Sequence, residues 1–169
     1  PSKKSIEDVQ QLSEVVVKGK KQSKERDIYE ARSKSIAYYD VKSGLDDIRD
    51  AGEYIGDDIH KFMCEMNRNF YKILSHGEEY LHYKGRMPLF IINYQRNFGT
   101  KLQYDAYKYI RLEAIKSVYI TEDPLTMIQY AAPGFDIMSI DKTYGCVVFI
   151  ETYPDGEIPV DAGKGVRKT

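Results

Sequence analysis

Few residues of this chain have the type and spacing that metal binding requires. His60 and Cys64 are four residues apart in a segment with helical periodicity, so they would share one helix face and could grip a metal ion. No second ligand pair with metal-site spacing follows, and nothing in the sequence brings His76 or His82 to them. We therefore predict no metal site, and expect a half-buried Cys64 beside a His60 on the surface.

Adjacent carboxylates are the next candidates for chemistry, and they occur as Asp46-Asp47, Asp57-Asp58 and Glu78-Glu79. Paired carboxylates do acid–base work when burial separates their pKa values. Neighbouring residues on a helix point apart and these pairs lie among polar residues, so we expect them on the solvated surface. The sequence has no nucleophile elbow, phosphate-binding glycine loop or zinc-protease motif. We predict no catalytic residue, no cofactor and no enzyme, and expect Cys146 to be buried as a small hydrophobe.

Aromatic and basic side chains alternate in residues 80–86 and 94–98, a pattern that on a sheet could stack single-stranded bases. However, 25 Lys and Arg residues are balanced by 26 Asp and Glu residues, which argues against a nucleic-acid binder or a polybasic membrane module. The 15 tyrosines instead suggest contact with another protein or a carbohydrate. The residues that we predict to contact a ligand or partner are Lys84, Arg86, Tyr94 and Arg96.

The elements that would position these residues can be predicted from periodicity. The 169 residues, 42% of them hydrophobic, suit one domain with tails, and no run approaches the ~20 apolar residues of a membrane-spanning helix. The chain begins with Pro1 and not Met, so we expect it to be a piece of a longer protein. Apolar residues spaced by three and four predict one helix from Ile48 to Phe70. Ser43 or Asp46 would cap it, Gly52 would allow close approach to a sheet, and Gly77 would end it.

Extended runs predict the strands. Residues 12–17 are predicted to form a first strand, and residues 36–41 a short strand or an extended segment. Residues 80–84 and 89–95 would pair as a hairpin, with Leu89 to Ile92 as a central strand covered on both faces. After a helix over residues 104–115, strands at 118–121 and 147–152 would be parallel, joined by a helix with Asp123 as N-cap and Pro124 as its first residue. Together these elements predict an α+β fold, a small mixed sheet with packed helices.

Four segments match, in order, the motif series of one known family. Residues 12–19 (LSEVVVKG) match an LxEVVVxG opening, and residues 83–92 (YKGRMPLFII) resemble an RG…PLxxxDG hairpin. Residues 112–120 (LEAIKSVYI) resemble IESIEVLKD, and residues 144–156 resemble YG…GVIxIxTKxG. Together these segments resemble the plug domain of TonB-dependent outer-membrane receptors. The chain departs from the pattern at Lys84, where the family has Arg, at Asn93-Tyr94, where it has Asp-Gly, and in a longer segment at 132–143.

The resemblance implies a plug-like domain over residues 12–157, between an N-terminal tail (1–11) and a C-terminal linker (158–169). It implies a non-enzymatic domain at the outer membrane or its periplasmic side, which occludes its own β-barrel. The implied partners are that barrel, a TonB-type energy transducer, and a nutrient ligand such as a glycan or siderophore, with no nucleic acid.

An alternative stays open, because residues 163–169 resemble a different context. Related plug-like modules occur in barrel-less envelope proteins with macroglobulin-type or carboxypeptidase-regulatory-like β-domains. There the domain would be a binding module without a transport role. A TonB box before the domain and barrel strands after it would distinguish the two.

Overall fold

The computed structural model describes residues 24–96 and 106–154. The chain divides into two compact units, Pro1–Lys34 and Ser35–Thr169. In the first unit the described residues form helix α1, residues 24–33, where Arg26 and Glu30 form an ion pair of 3.1 Å one turn apart. The predicted tail, the strand at 12–17 and the linker at 158–169 lie outside the described residues.

The described residues of the second unit form a series of short helices and strands. In chain order these are β1 (Ala37–Asp40), α2 (Val41–Asp50), α3 (Ile59–Met66), β2 (Phe70–Ser75), β3 (Glu78–Tyr83), β4 (Met87–Ile92), β5 (Ile115–Thr121), α4 (Pro124–Tyr130), α5 (Ile137–Thr143) and β6 (Tyr144–Thr152). Residues 106–108 form a helical turn and Leu112–Ala114 a 3-10 helix, so the helix predicted over 104–115 is present only as these two short pieces in the described residues.

Two sheets organise this unit. The larger has the strand order β1-β5-β6-β4, in which β4 runs parallel to β6 and the other neighbours are antiparallel. The smaller is the antiparallel pair β2-β3. A mixed sheet with packed helices confirms the predicted α+β class.

The larger sheet is buried on both faces at strands β4 and β6. One face packs against α2, α3 and the β2-β3 hairpin, in a core that includes Phe62, Val118, Ile120, Val148 and Ile150. On the other face Leu89, Ile91, Val147 and Phe149 are all fully buried, and the Tyr130 ring of α4 meets Phe149 edge-on at 5.1 Å. The prediction that 89–92 is covered on both faces is confirmed, but its central position is wrong, because β4 is an edge strand of the sheet as described.

The single long helix predicted from Ile48 to Phe70 is wrong. Helix α2 starts earlier, where the Asp40 carboxylate accepts a hydrogen bond of 3.0 Å from the Ser43 N–H, so neither Ser43 nor Asp46 is the cap. The helix ends at Asp50, and Gly52 follows it in the left-handed region with φ +86°. That conformation is open to glycine and incompatible with a continuing helix, so the chain breaks here.

The end of the predicted helix is also different. A second helix, α3, begins after Asp58, and Phe70 already belongs to strand β2. A Cβ atom at Gly52 would have no neighbour within 4 Å, so this glycine does not serve close packing against the sheet. Gly77 stops no helix and instead occupies the β2-β3 turn with φ +78°.

The predicted hairpin of residues 80–84 with 89–95 is wrong in its pairing, and the chain turns at Lys84 and Gly85 instead of over residues 85–88. Tyr83 and Arg86 exchange two backbone hydrogen bonds of 2.7 and 3.0 Å across Lys84 and Gly85, whose φ values are +49° and +83°. Beyond this two-residue turn the strands separate, because β3 pairs with β2 and β4 pairs with β6.

The connection from β5 to β6 confirms one prediction and overturns another. Asp123 caps α4 by accepting from the Thr126 N–H at 3.0 Å, with Pro124 as the first residue of the helix, as predicted. The predicted parallel pairing is wrong, because β5 and β6 are antiparallel. The break at Pro133-Gly134 divides the connection into the two helices α4 and α5. A single crossover helix would return the chain for a parallel strand, whereas the second helix reverses its direction once more, so β6 runs antiparallel to β5.

Candidate functional site

Lys84 and Arg86, two of the predicted contact residues, lie on the β3-β4 turn and are both ion-paired. The Lys84 Nζ is 2.7 Å from Glu122 Oε2, and the Arg86 guanidinium donates to the backbone oxygen of Asp141 and to its Oδ1, at 3.1 Å. Their side chains are 44% and 34% exposed. Both cations therefore tie the turn to the end of β5 and to α5 while staying in reach of solvent.

Glu122, which directly follows β5, is the acceptor for two residues at this turn. It also accepts a hydrogen bond of 2.6 Å from the Tyr83 hydroxyl, which is part of a fully buried residue. Partial burial alone would raise the pKa of Glu122, but the hydrogen bonds from Lys84 and Tyr83 hold this pKa below its ordinary value. Burial and the neighbouring carboxylate raise the pKa of Tyr83. The group is an ionised carboxylate held by two donors.

Tyr94 and Arg96, the other predicted contact residues, lie beyond the opposite end of β4. Asn93 and Tyr94 have φ values of +50° and +63°, and this turn closes with a hydrogen bond of 3.0 Å from the Gln95 N–H to the Ile92 oxygen. Arg96 is exposed. Because β4 has six residues at about 3.3 Å each, the structure separates the two predicted pairs by roughly 20 Å and does not bring them into one site.

The Tyr94 side chain packs onto β6. Its ring stacks on Phe149 at 5.1 Å, and its hydroxyl donates to Glu151 Oε2 at 2.5 Å. Glu151 is only 8% exposed and also accepts from the Ser117 hydroxyl at 2.6 Å. A bulky residue in the left-handed region is uncommon, so these contacts must outweigh the cost of the Tyr94 backbone.

The chemically richest group of side chains surrounds His60, which the sequence predicts on the surface. His60, the second residue of α3, is fully buried. Its Nδ1 is 2.8 Å from Glu79 Oε2 on β3, and its Nε2 is 2.7 Å from the hydroxyl of Tyr107 in the 106–108 turn. The prediction of a surface His60 is therefore wrong, whereas Cys64 is half-buried and Cys146 fully buried, as predicted.

The partners of His60 define its tautomer. A carboxylate only accepts hydrogen bonds, so Nδ1 carries the proton and donates to Glu79, and Nε2 accepts from the Tyr107 hydroxyl. Burial lowers the pKa of His60, and the nearby Lys108 ammonium lowers it further, against the opposing effect of Glu79. At neutral pH His60 is thus neutral imidazole in the folded chain.

Two carboxylates and two ammonium groups surround this imidazole. Asp58 caps α3 by accepting from the His60 N–H at 3.0 Å. Lys72 Nζ lies 3.4 Å from Asp58 and 3.6 Å from Glu79, and Lys108 Nζ lies 3.6 and 3.8 Å from the same two residues. We call these five residues together with Tyr107 the His60 cluster. Asp58 and Glu79 are only about one-third exposed in this cluster. The other members of the three acidic pairs are exposed, as predicted: Asp46, Asp47, Asp57 and Glu78.

The His60 cluster has some features of a metal centre. One ligand atom from each of Asp58, His60 and Glu79 lies within 4.8 Å of the others. A cation among them would meet the ammonium groups of Lys72 and Lys108, which already bridge the two carboxylates. Two negative and two positive charges balance, so the arrangement suits an ion-pair network better than a divalent metal.

Sequence reasoning missed this cluster because its members are distant in the chain. Tyr107 is 47 residues from His60, and Glu79 is 19 residues away. One local signal was available, because Asp58 precedes the apolar run of α3 as an N-cap residue does. Recognising this cap would have placed the start of the helix and therefore His60 on its inward face.

No protein-family model, curated protein or solved structure matches this chain. The resemblance to plug domains therefore depends on the residues of the chain alone. Among the helices of residues 24–96 and 106–154, none is long and apolar enough to cross a membrane.

Proposed function

We propose that this chain is a non-enzymatic plug domain of a TonB-dependent outer-membrane receptor, which occludes the receptor's barrel and takes part in ligand-gated nutrient uptake. The observation that supports this proposal is the placement of the family-like segments. Residues 83–92 supply the tight turn and β4, residues 112–120 lead through β5, and residues 144–152 form β6. These three strands are neighbours in the order β5-β6-β4, so the three matching segments within the described residues form one continuous part of one sheet, and the segment 12–19 lies outside those residues.

The distribution of charge is compatible with such a location. A barrel of ~22 strands encloses a lumen wide enough to need a plug, and the lumen wall of an outer-membrane barrel is polar and wet. A domain in that lumen has to carry charge on several sides. In this chain ion pairs lie on the β3-β4 turn, at Lys84 and Arg86, and separately around Lys72 and Lys108.

A second candidate function is a plug-like interaction module in a barrel-less envelope protein, and one surface favours it. On the outward face of the β2-β3 hairpin Tyr71 lies opposite His82, and Ile73 lies opposite Tyr80. Tyr71 is 41% exposed, and its ring meets the His82 ring edge-on at 5.9 Å. Aromatic side chains of this kind are typical of contact surfaces between proteins.

The coding sequence around this domain provides the first test. Some 20 or more downstream segments of ~10 residues with alternating hydrophobicity would supply the barrel. The full receptor would then be placed in planar lipid bilayers beside a variant lacking residues 12–157. We expect a closed wild-type protein and an open, conducting variant. Soluble β-sandwich domains downstream, or an equally closed variant, would overturn the plug proposal.

The predicted contact residues need a separate test on the same full-length protein. Arg96 is exposed, so its replacement should report on binding and not on folding. We expect Arg96→Ala to weaken binding of the nutrient ligand or of the partner, and Lys116→Ala, at another exposed cation, on β5, to leave it unchanged. Equal effects of the two substitutions would remove Arg96 from the contact surface.

A further inference from the structure

The His60 cluster joins three separate parts of the second unit. His60 belongs to α3, Glu79 to β3, and Tyr107 to the 106–108 turn. The Tyr107 ring is also fixed from its other side, because it stacks on Phe90 of β4 with ring centroids 3.7 Å apart. Both ring nitrogens of a fully buried His60 thus hold elements that are distant in the sequence.

Neutral imidazole fits this position and imidazolium does not. A proton added at Nε2 turns this atom from acceptor to donor, so the Tyr107 hydroxyl would have to reverse its hydrogen bond. The added charge would also upset the balance of Asp58 and Glu79 against Lys72 and Lys108, leaving a net positive charge at a buried group. Cys64, one turn further along α3, is the remaining titratable group on that face, and burial raises its pKa, so it stays neutral.

We propose that His60 is a pH-sensitive latch, whose protonation releases the 106–108 turn from α3 while the bond from Nδ1 to Glu79 is kept. The direction follows from linkage. A histidine whose pKa is lower in the folded state stabilises the fold above its ordinary pKa of about 6.5, and this stabilisation is lost as the pH falls through that value. The Asp58 carboxylate titrates at lower pH, because partial burial, which would raise its pKa, is outweighed by its backbone hydrogen bond and by Lys108 and Lys72.

Native-state hydrogen exchange of the 169-residue chain between pH 7.5 and 5.5 tests the latch. After correction for intrinsic exchange, we expect the opening constant of the Ile110 amide, which donates to the Tyr107 oxygen, to rise on acidification, by at most about tenfold per pH unit for one proton. His60→Gln should remove this pH dependence. His76→Gln, in the exposed β2-β3 turn, is the matched control and should keep it. Opening constants independent of pH in the wild type, or an unchanged pH dependence in His60→Gln, would overturn the latch.

A measurement on the unmodified chain keeps the proposal testable if His60→Gln does not fold. Two-dimensional ¹H–¹⁵N spectra of the imidazole distinguish the tautomers and the protonated ring. We expect His60 to carry its proton on Nδ1 at pH 7.5 and to remain neutral to lower pH than the same residue in urea. A His60 that is protonated at pH 7.5, or that titrates in the folded chain as it does in urea, would refute the latch.

Discussion

Gly145 provides the sharpest test of the packing between β6 and the β3-β4 turn. A Cβ atom at this position would lie 2.6 Å from the backbone oxygen of Tyr83 and 3.1 Å from its ring carbon Cδ2. The same oxygen accepts the hydrogen bond of 3.0 Å from the Arg86 N–H that closes the turn. Because the obstacle is backbone, Gly145→Ala must displace β6 or open the turn.

The expected loss follows from the size of this clash. Adding a methyl group to a filled site costs about 1–3 kcal/mol, and for a chain of this size each kcal/mol lowers the Tm by about 2–4 °C. We therefore expect Gly145→Ala to lower the free energy of unfolding by this amount in urea titrations followed by circular dichroism. Its thermal transition should fall by several degrees.

Gly44 is the matched control for this substitution. It lies in α2, and the atoms nearest to a Cβ there are side-chain atoms of Met66 and Phe62 at 3.1 Å, of which the Met66 end is flexible. Alanine also favours a helix by about 1 kcal/mol over glycine, so Gly44→Ala should cost little or nothing. A Gly145→Ala chain as stable as the wild type, or a Gly44→Ala chain equally destabilised, would refute the packing argument.

Three further predictions concern hydrogen bonds, acid stability and metal binding. Tyr94→Phe removes a donor to the buried Glu151 and should lower the free energy of unfolding by about 1–3 kcal/mol, whereas Tyr54→Phe, at an 83% exposed residue, should not change it in the same urea titration. Because the pKa of Glu122 is lowered in the fold, its contribution to stability is present above about pH 4.3 and lost below it, so Glu122→Gln should flatten the acid limb of a Tm–pH profile. Zn²⁺ should leave the Tm unchanged, and a saturable rise that His60→Gln abolishes would contradict the charge balance of the His60 cluster.

Local signals in the sequence predicted several elements correctly. Strands β5 and β6 and the start of α4 follow from short apolar runs and from Asp123-Pro124, because these preferences act between residues close in the chain. The prediction of one long helix was wrong for a related reason. The apolar residues of two short helices and of β2 together continue a helical spacing of three and four residues by chance. The glycines between them, Gly52 and Gly56, both adopt positive φ, and these were the stronger signal.

Pairing between strands could not be predicted in the same way. A break between residues 80–84 and 89–95 was predicted from local signals at 85–88, close to the observed turn at Lys84-Gly85. The pairing of β4 was not predicted, because its partner β6 lies more than 50 positions further along the chain. The positions of the candidate site residues depend on such contacts. Lys84 and Tyr94 are near in sequence yet lie at opposite ends of one strand, whereas the partners of His60, Glu79 and Tyr107, come from two distant segments.

The composition of strand β6 affects how readily the unfolded chain aggregates. Eight of its nine residues are buried, and its apolar run VVFI has high β-propensity and no charge. In an unfolded chain such a segment is a template for intermolecular pairing. Its parallel partner β4 and its antiparallel partner β5 both precede it in the chain. During synthesis neither strand can pair with β6 until β6 itself has been made. Aggregation during refolding should therefore depend on how quickly β6 pairs with β4 and β5, and Glu151, the charged residue next to the run, is expected to oppose self-association.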